Sequence, residues 1–167
     1  LGLKRHPTPL VFDATAGLGR EAILAAALGA TVVACERSPI VALLLRDGLG
    51  RASSAGLAEV TARVTLHEGD AREILSALAV QPDVVLVDPM FPERGKSAKA
   101  RREMQLLQRL LGADDDADEL LDAALNRARY RVVVKRPAHA PPVGNRTPNH
   151  TVEGRAARYD IYLTGGG

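Results

Sequence analysis

Tryptophan is absent from this chain, and only two phenylalanines and three tyrosines are present. Any surface that stacks flat ligands must therefore rest on one or two rings. Cysteine occurs once, at Cys35, which excludes an internal disulfide and suits a reducing, cytoplasmic setting. No apolar run approaches the roughly 18 residues a membrane helix requires. A large excess of charge is missing too: the net value is +2 over 167 residues. The molecule as a whole is not a polyanion magnet, and a nucleic-acid partner must be sought in local clusters. His6, His67, His139 and His150 show no metal-ligand spacing, and Cys35 has no partner for one, so no metal site is expected. The start, Leu1-Gly2-Leu3-Lys4-Arg5-His6, has neither an initiator methionine nor a signal-peptide core. It reads as an internal cut, with part of the natural protein expected upstream.

What is present is a regular alternation. Residues 10–12 form a short apolar strand ending at Asp13, then a turn over 15–19 and an alanine-rich helix over 20–28 that Gly29 stops. A β-branched strand over 31–35 ends at Glu36. Ser38 is a good N-cap, with Pro39 at the first helical position, for a helix to about Arg51. A third strand is predicted over 60–67, a helix from Asp70 through Leu78, and a break at Pro82. Residues 83–87 are a continuous apolar strand suited to a sheet covered on both faces. Helical patterns follow over 98–111 and 117–128, then strands over 131–135 and 158–163, with a Pro-, Gly- and Asn-rich loop over 137–149 between them. Strands alternating with helices imply one α/β domain over 1–167, with a mostly parallel central sheet and helices on both faces. The last strand could pair antiparallel.

In such sheets a ligand sits beyond the carboxyl ends of the strands, at the very positions where Asp13, Glu36, Gly69-Asp70 and Asp88 fall. Gly17 and Gly19, in the turn Asp13-Ala14-Thr15-Ala16-Gly17-Leu18-Gly19-Arg20-Glu21, let backbone approach a ligand closely. The N–H groups at the next helix start can receive a carboxylate. Glu36 is placed to accept from two ribose hydroxyls, Asp70 from an adenine amine, and Asp13 can meet an ammonium. Those are the groups of S-adenosylmethionine. The spacing Gly17-x-Gly19-x-x-Ala22 also fits a dinucleotide fingerprint with Glu36 as its ribose acid, so an NAD(P)-dependent oxidoreductase is the alternative. That alternative leaves the end of the fourth strand without employment.

There, Asp88-Pro89-Met90-Phe91 resembles the Asp/Asn-Pro-Pro-Tyr/Phe signature of amino-group methyltransferases. An exocyclic base amine is a poor nucleophile because its lone pair is delocalised into the ring. A carboxylate and a backbone carbonyl accepting from its N–H groups favour a pyramidal nitrogen facing the methyl donor. Proline helps aim the carbonyl, and Phe91 would stack on an unpaired base. Gly95-Lys96-Ser97 invites a phosphate-loop reading, but that loop requires a glycine at position 90, which is Met. Arg94, Lys96, Lys99, Arg101 and Arg102 follow the motif closely, and Lys135-Arg136 closes the fifth strand. Arg94, Lys96, Lys99, Lys135 and Arg136 are the expected phosphate contacts around a presented base. The acidic stretch Asp114, Asp115, Asp116, Asp118 and Glu119 is expected on the far side, where it would not repel RNA. A non-catalytic RNA-binding module is the third reading, and motifs alone do not separate adenine N6 from guanine N2.

Taken in order, residues 13–20, Glu36-Arg37-Ser38-Pro39, Asp88-Pro89-Met90-Phe91-Pro92, Lys96-Ser97, Val133-Val134-Lys135-Arg136-Pro137, Ala140-Pro141-Pro142 and Tyr159-Asp160-Ile161-Tyr162 resemble the bacterial 16S ribosomal RNA guanine-N2 methyltransferase family. Met90 is that family's own variant of the motif. The resemblance implies a class I, Rossmann-like methyltransferase fold, S-adenosylmethionine as donor, and guanosine in 16S rRNA or the small ribosomal subunit as acceptor. It implies cofactor contacts at Arg20, Glu21, Glu36, Arg37, Gly69, Asp70 and Asp88, beside the Asp13, Thr15, Gly17 and Gly19 of the turn. It further implies a small N-terminal region before the first motif, in line with the internal start. At Gly69-Asp70 the chain departs from the small hydroxyl residues of family members.

Overall fold

The computed structural model describes residues 8–89, 116–154 and 157–165. Among the described residues, seven strands form one sheet in the order β3-β2-β1-β4-β5-β7-β6. The strands are β1 (Leu10–Asp13), β2 (Thr31–Glu36), β3 (Val64–Glu68), β4 (Val84–Val87), β5 (Arg131–Pro137), β6 (His150–Glu153) and β7 (Ala157–Leu163). The first five pair in parallel, while β7 runs antiparallel to both β5 and β6.

Every residue of β4 is buried, as expected of a strand covered on both faces. Alternation along the strands divides the core in two. One cluster packs Val11, Val32, Ala34, Val84, Leu86 and Val133 under α1 (Arg20–Ala27) and α2 (Pro39–Ala52). The other packs Phe12, Val85, Val87, Val132 and Val134 under α4 (Ala71–Ala77) and α5 (Ala117–Arg127). In α1 the buried positions are all alanine, namely Ala22, Ala25 and Ala26, so the helix sits close on the sheet. Phe12, Leu75 and Leu121 are fully buried, each contributing about 1.5–3 kcal/mol of transfer free energy.

Local signals set the helix ends. The Ser38 hydroxyl accepts from the Val41 N–H, with Pro39 in the first turn, and the Asp70 carboxylate accepts from the Arg72 N–H at 2.8 Å. Arg127 of α5 donates to the Leu75 and Leu78 carbonyls at 3.2 and 2.6 Å, closing the end of α4.

Two expectations are corrected. The third strand begins at Val64, not at residue 60, because Val60 belongs to a short helix, α3 (Ala58–Thr61). Gly56, at φ +94°, kinks the chain and lets this helix restart, and the Thr61 hydroxyl donates back to the Leu57 and Ala58 carbonyls. β6 was not anticipated at all. Its four residues are exposed, so it carries no apolar alternation and exists only through its pairing with β7. The predicted helix over 98–111 lies outside the described residues. Among those described, no helix is long and apolar enough to cross a membrane.

Candidate active site

Register brings the polar strand ends into one row. β2, β1, β4 and β5 are consecutive neighbours, so Glu36, Asp13, Asp88 and Lys135 stand along one rim. Val87 pairs with Val134, which sets the following residues, Asp88 and Lys135, side by side.

The glycine turn is held by Glu36. Its carboxylate, only 6% exposed, accepts from the Gly17 N–H at 2.9 Å and the Ser38 N–H at 2.8 Å. The next loop is tied in as well, since the Gly69 N–H donates to the Glu36 carbonyl at 3.0 Å. Gly17 and Gly19 adopt φ +53° and +81°, a region costly for side-chain-bearing residues. At Gly19 a Cβ would also stand 2.4 Å from Leu45 Cδ1. Thr15 links this turn to the fourth strand end, its hydroxyl accepting from the Asp88 N–H at 2.7 Å.

Thr15, Gly17, Glu36, Arg37, Asp70, Asp88 and Pro89 line one cleft, together with Ala71, Leu120 and other residues of α4 and α5. Asp13, expected to meet an ammonium there, is buried at the end of β1 next to Ala14 and Thr15 and does not itself line the cleft. Its Oδ1 accepts from the Thr15 N–H at 3.3 Å, and its Oδ2 is buried with no hydrogen-bond partner among the described residues. Burial pushes its pKa up to about 7; the Thr15 N–H opposes the rise, while the carboxylates of Glu21, Asp88 and Glu36 add to it. Glu21 joins through Lys135, whose Nζ lies 2.8 Å from Glu21 Oε1 and 2.6 Å from Asp88 Oδ2. Burial disfavours the ammonium, but these two acceptors more than offset it and hold its pKa above the ordinary lysine value.

Opposite, Arg72 forms a fork on Asp70, with Nε 3.0 Å from Oδ1 and Nη2 2.6 Å from Oδ2. It also pairs with Asp116 at 3.4 Å and with Glu119. Asp116 in turn meets Arg37 at 3.3 Å. The acidic stretch was expected on the far side; Asp116 instead lines the cleft, because α5 packs against α4 on the face where the cleft opens.

Other sites are placed differently from the sequence reading. Arg20 is exposed at the start of α1, and Gly19 is buried against Leu45; neither lines the cleft. The carbonyl of Gly69 accepts from the thiol of Cys35 at 3.3 Å, and burial, then Glu36, Asp70 and Asp13, pushes that thiol up to about 12. Lys135 was expected on phosphate, yet its ammonium is committed to two carboxylates inside the site. Arg136 was expected there too. It is 5% exposed and donates to the Pro141 carbonyl, on the face of the sheet opposite to Lys135. Met90, Phe91, Arg94, Lys96 and Lys99 lie outside the described residues.

Sequence reasoning missed Arg72, Asp116 and Leu120. Leu120 was recoverable from the apolar stripe of α5. Arg72 and Asp116 carried no signal beyond charge, because their place depends on two helices meeting.

Known proteins agree with this geometry. A family model described as "Putative SAM-dependent methyltransferase" matches residues 1–164. The chain is 49% identical to Ribosomal RNA small subunit methyltransferase J of Thioalkalivibrio sulfidiphilus, covering 99% of this chain and 66% of that protein. With the protein of the same name from Chromohalobacter salexigens it shares 52% identity, over 97% of this chain and 65% of the relative. The chain thus spans just under two thirds of these relatives' length. The crystal structure of a SAM-dependent methyltransferase from Neisseria gonorrhoeae superposes with a TM-score of 0.77 at 38% identity, covering 95% of this chain and 63% of that one. A Rossmann-like class I sheet, a glycine turn clasped by an acid, and a match along nearly the whole sequence lead to one placement: the chain belongs to the SAM-dependent methyltransferase family.

Proposed function

We propose that this protein transfers a methyl group from S-adenosylmethionine to the exocyclic N2 amine of a guanosine in 16S rRNA, free or within the small ribosomal subunit, in the cytoplasm. The observation that supports this reading is the linkage Thr15–Asp88–Lys135, which holds Asp88, the first residue of the proposed amine-binding motif, at the cleft that Thr15 and Gly17 also line. Family membership sets aside the nicotinamide alternative. The names of the relatives supply the RNA class, and the resemblance of the motifs supplies guanine N2.

The cleft suits the cofactor in charge and shape. Next to the lining residues Ala14 and Thr15, the buried Oδ2 of Asp13 has no hydrogen-bond partner among the described residues and would answer an ammonium. Glu36 retains lone pairs for ribose hydroxyls, and Ala71 and Leu120 offer apolar walls for adenine beside Asp70. When bound, S-adenosylmethionine supplies an electrophilic methyl on a sulfonium. Everything else falls to the chain. The Asp88 carboxylate accepts from the amine N–H and turns its lone pair toward the donor. Pro89 constrains the backbone behind it. Lys135 holds Asp88 in one orientation and balances the carboxylates of Glu21 and Asp88. Positioning of this kind supplies much of the rate, since reaction within a fixed pair avoids the entropy of encounter.

The test is mass spectrometry of nucleosides from unmodified small-subunit RNA, or from particles carrying it, after incubation with protein and donor. N2-methylguanosine is expected with the native chain and is expected to vanish with Asp88→Ala at unchanged thermal stability. Methyladenosine in its place would reassign the acceptor. RNA binding without any methylated product would leave only a binding module.

A further inference from the structure

We propose that Tyr159, with Val152 beside it, is the seat on which an unpaired nucleobase of the RNA substrate stacks; this rests on the reading given under Proposed function. The placement follows from register. Tyr159 of β7 pairs directly with Lys135 of β5, and Val152 of β6 pairs directly with Tyr159. Directly paired residues of antiparallel strands share a face, with Cβ atoms about 4.5–5.5 Å apart. Lys135 reaches Asp88 from that same face, at 2.6 Å. Val152, Tyr159, Lys135 and Asp88 therefore form one row, running from the sheet edge to the end of β4.

The row changes character along its length. Asp88 and Lys135 are partly buried and ionic, whereas Tyr159 is 36% and Val152 52% exposed. An exposed ring and an isopropyl group next to an ion pair match a base, which has an apolar face and a polar edge. Aromatics are too few for this to be background. Phe12 and Tyr162 are buried in the core. Tyr130 precedes β5, at the opposite end of the parallel strands, where Arg129 covers its ring at 4.9 Å. Among the described residues, Tyr159 is the one exposed ring on the rim that holds the site. Continuity with Asp88 favours an RNA base over a protein segment as the occupant, because whatever lies on Tyr159 abuts the group that receives the target amine.

The chain contains no tryptophan, so Tyr159→Trp creates a single fluorescent reporter at the proposed seat. A guanosine-containing single-stranded RNA is expected to quench its emission while methyl transfer continues. Tyr159→Ala is expected to lower kcat/KM for RNA roughly tenfold or more, the size typical of a lost stacking contact, with S-adenosylmethionine affinity unchanged. Tyr159→Phe, which keeps the ring, should stay within about twofold of the native chain. Unaltered emission at RNA concentrations that saturate binding by anisotropy would overturn the seat, and so would native RNA kinetics in Tyr159→Ala. Should Tyr159→Ala fail to fold, the emission of the tryptophan variant on RNA addition decides the matter. A native chain that methylates no RNA at all would instead overturn the parent reading, and this seat with it.

Discussion

Lys135 and Arg136 are neighbours in one strand, alike in charge, and they end in opposite worlds. Lys135 turns to the face covered by α1 and bridges Asp88 and Glu21. Arg136 turns to the face covered by α4 and α5, where it is buried near the chelate of Arg158 on Asp160. In that chelate Nε lies 2.7 Å from Oδ1 and Nη2 lies 3.0 Å from Oδ2 of a fully buried carboxylate. Arg158 also donates to the carbonyls of Ala138 and Ala140, and the Tyr162 hydroxyl donates to the Arg146 carbonyl at 3.1 Å. The Arg136 side of the strand therefore anchors the loop after β5, and the Lys135 side holds Asp88, the proposed acceptor of the amine N–H. Two cations one residue apart differ in role because strand side chains alternate between faces.

The comparison is broken most forcefully at Asp160. Asp160→Ala should destabilise the fold by about 3–5 kcal/mol, since it leaves buried guanidinium charge uncompensated, while turnover per folded molecule stays unchanged. Denaturant melts paired with active-fraction kinetics check this. Loss of turnover without loss of stability would mean that the two faces are not separate in function.

Asp13, close to the two carboxylates that Lys135 bridges, sharpens the Lys135 side of the contrast. Its folded pKa, about 7, stands above the ordinary 3.8. Between those values the native protein keeps a proton that the unfolded chain has released, so stability falls as pH rises from about 4 to 7. The full gap corresponds to about 4 kcal/mol at most. Asp13→Asn should remove most of that slope and raise stability at pH 8 by about 2 kcal/mol relative to the native chain. Melting curves at pH 5 and pH 8 measure it, and an unchanged slope would place the titration elsewhere.

Lys135→Met gives the smallest of the three effects. With the ammonium gone, the carboxylates of Asp88 and Glu21 are no longer held by a shared partner. A roughly tenfold loss in kcat is expected, with KM for RNA little altered and stability within about 1 kcal/mol, as befits a partly exposed ion pair. A rise in KM and in salt sensitivity without loss of kcat would return Lys135 to the phosphate contact first expected of it.

Much of this protein was legible before any coordinates. The apolar run over 83–87 announced a strand covered on both faces, Ser38-Pro39 a helix start, and Asp70 an N-cap. Asp13, Glu36 and Asp88 were recognisable as strand ends, and hence as one rim. Less legible were features that depend on a partner. β6 has no pattern of its own, and Val60 could continue either a strand or a helix until Gly56 turned. The expectation that Asp116 stood on the far side failed because charge along a chain does not say which helices meet.

By itself, the sequence determined the order of the elements, the glycine turn and the types of group at each strand end, because periodicity and turn chemistry act over a few residues. Only the tertiary structure decided which cations reach the cleft, that Asp116 joins Arg37 and Arg72, and that Tyr159 falls in line with Asp88. Those outcomes depend on strand register and on which face each residue takes, and both are set by pairing between segments far apart in the chain.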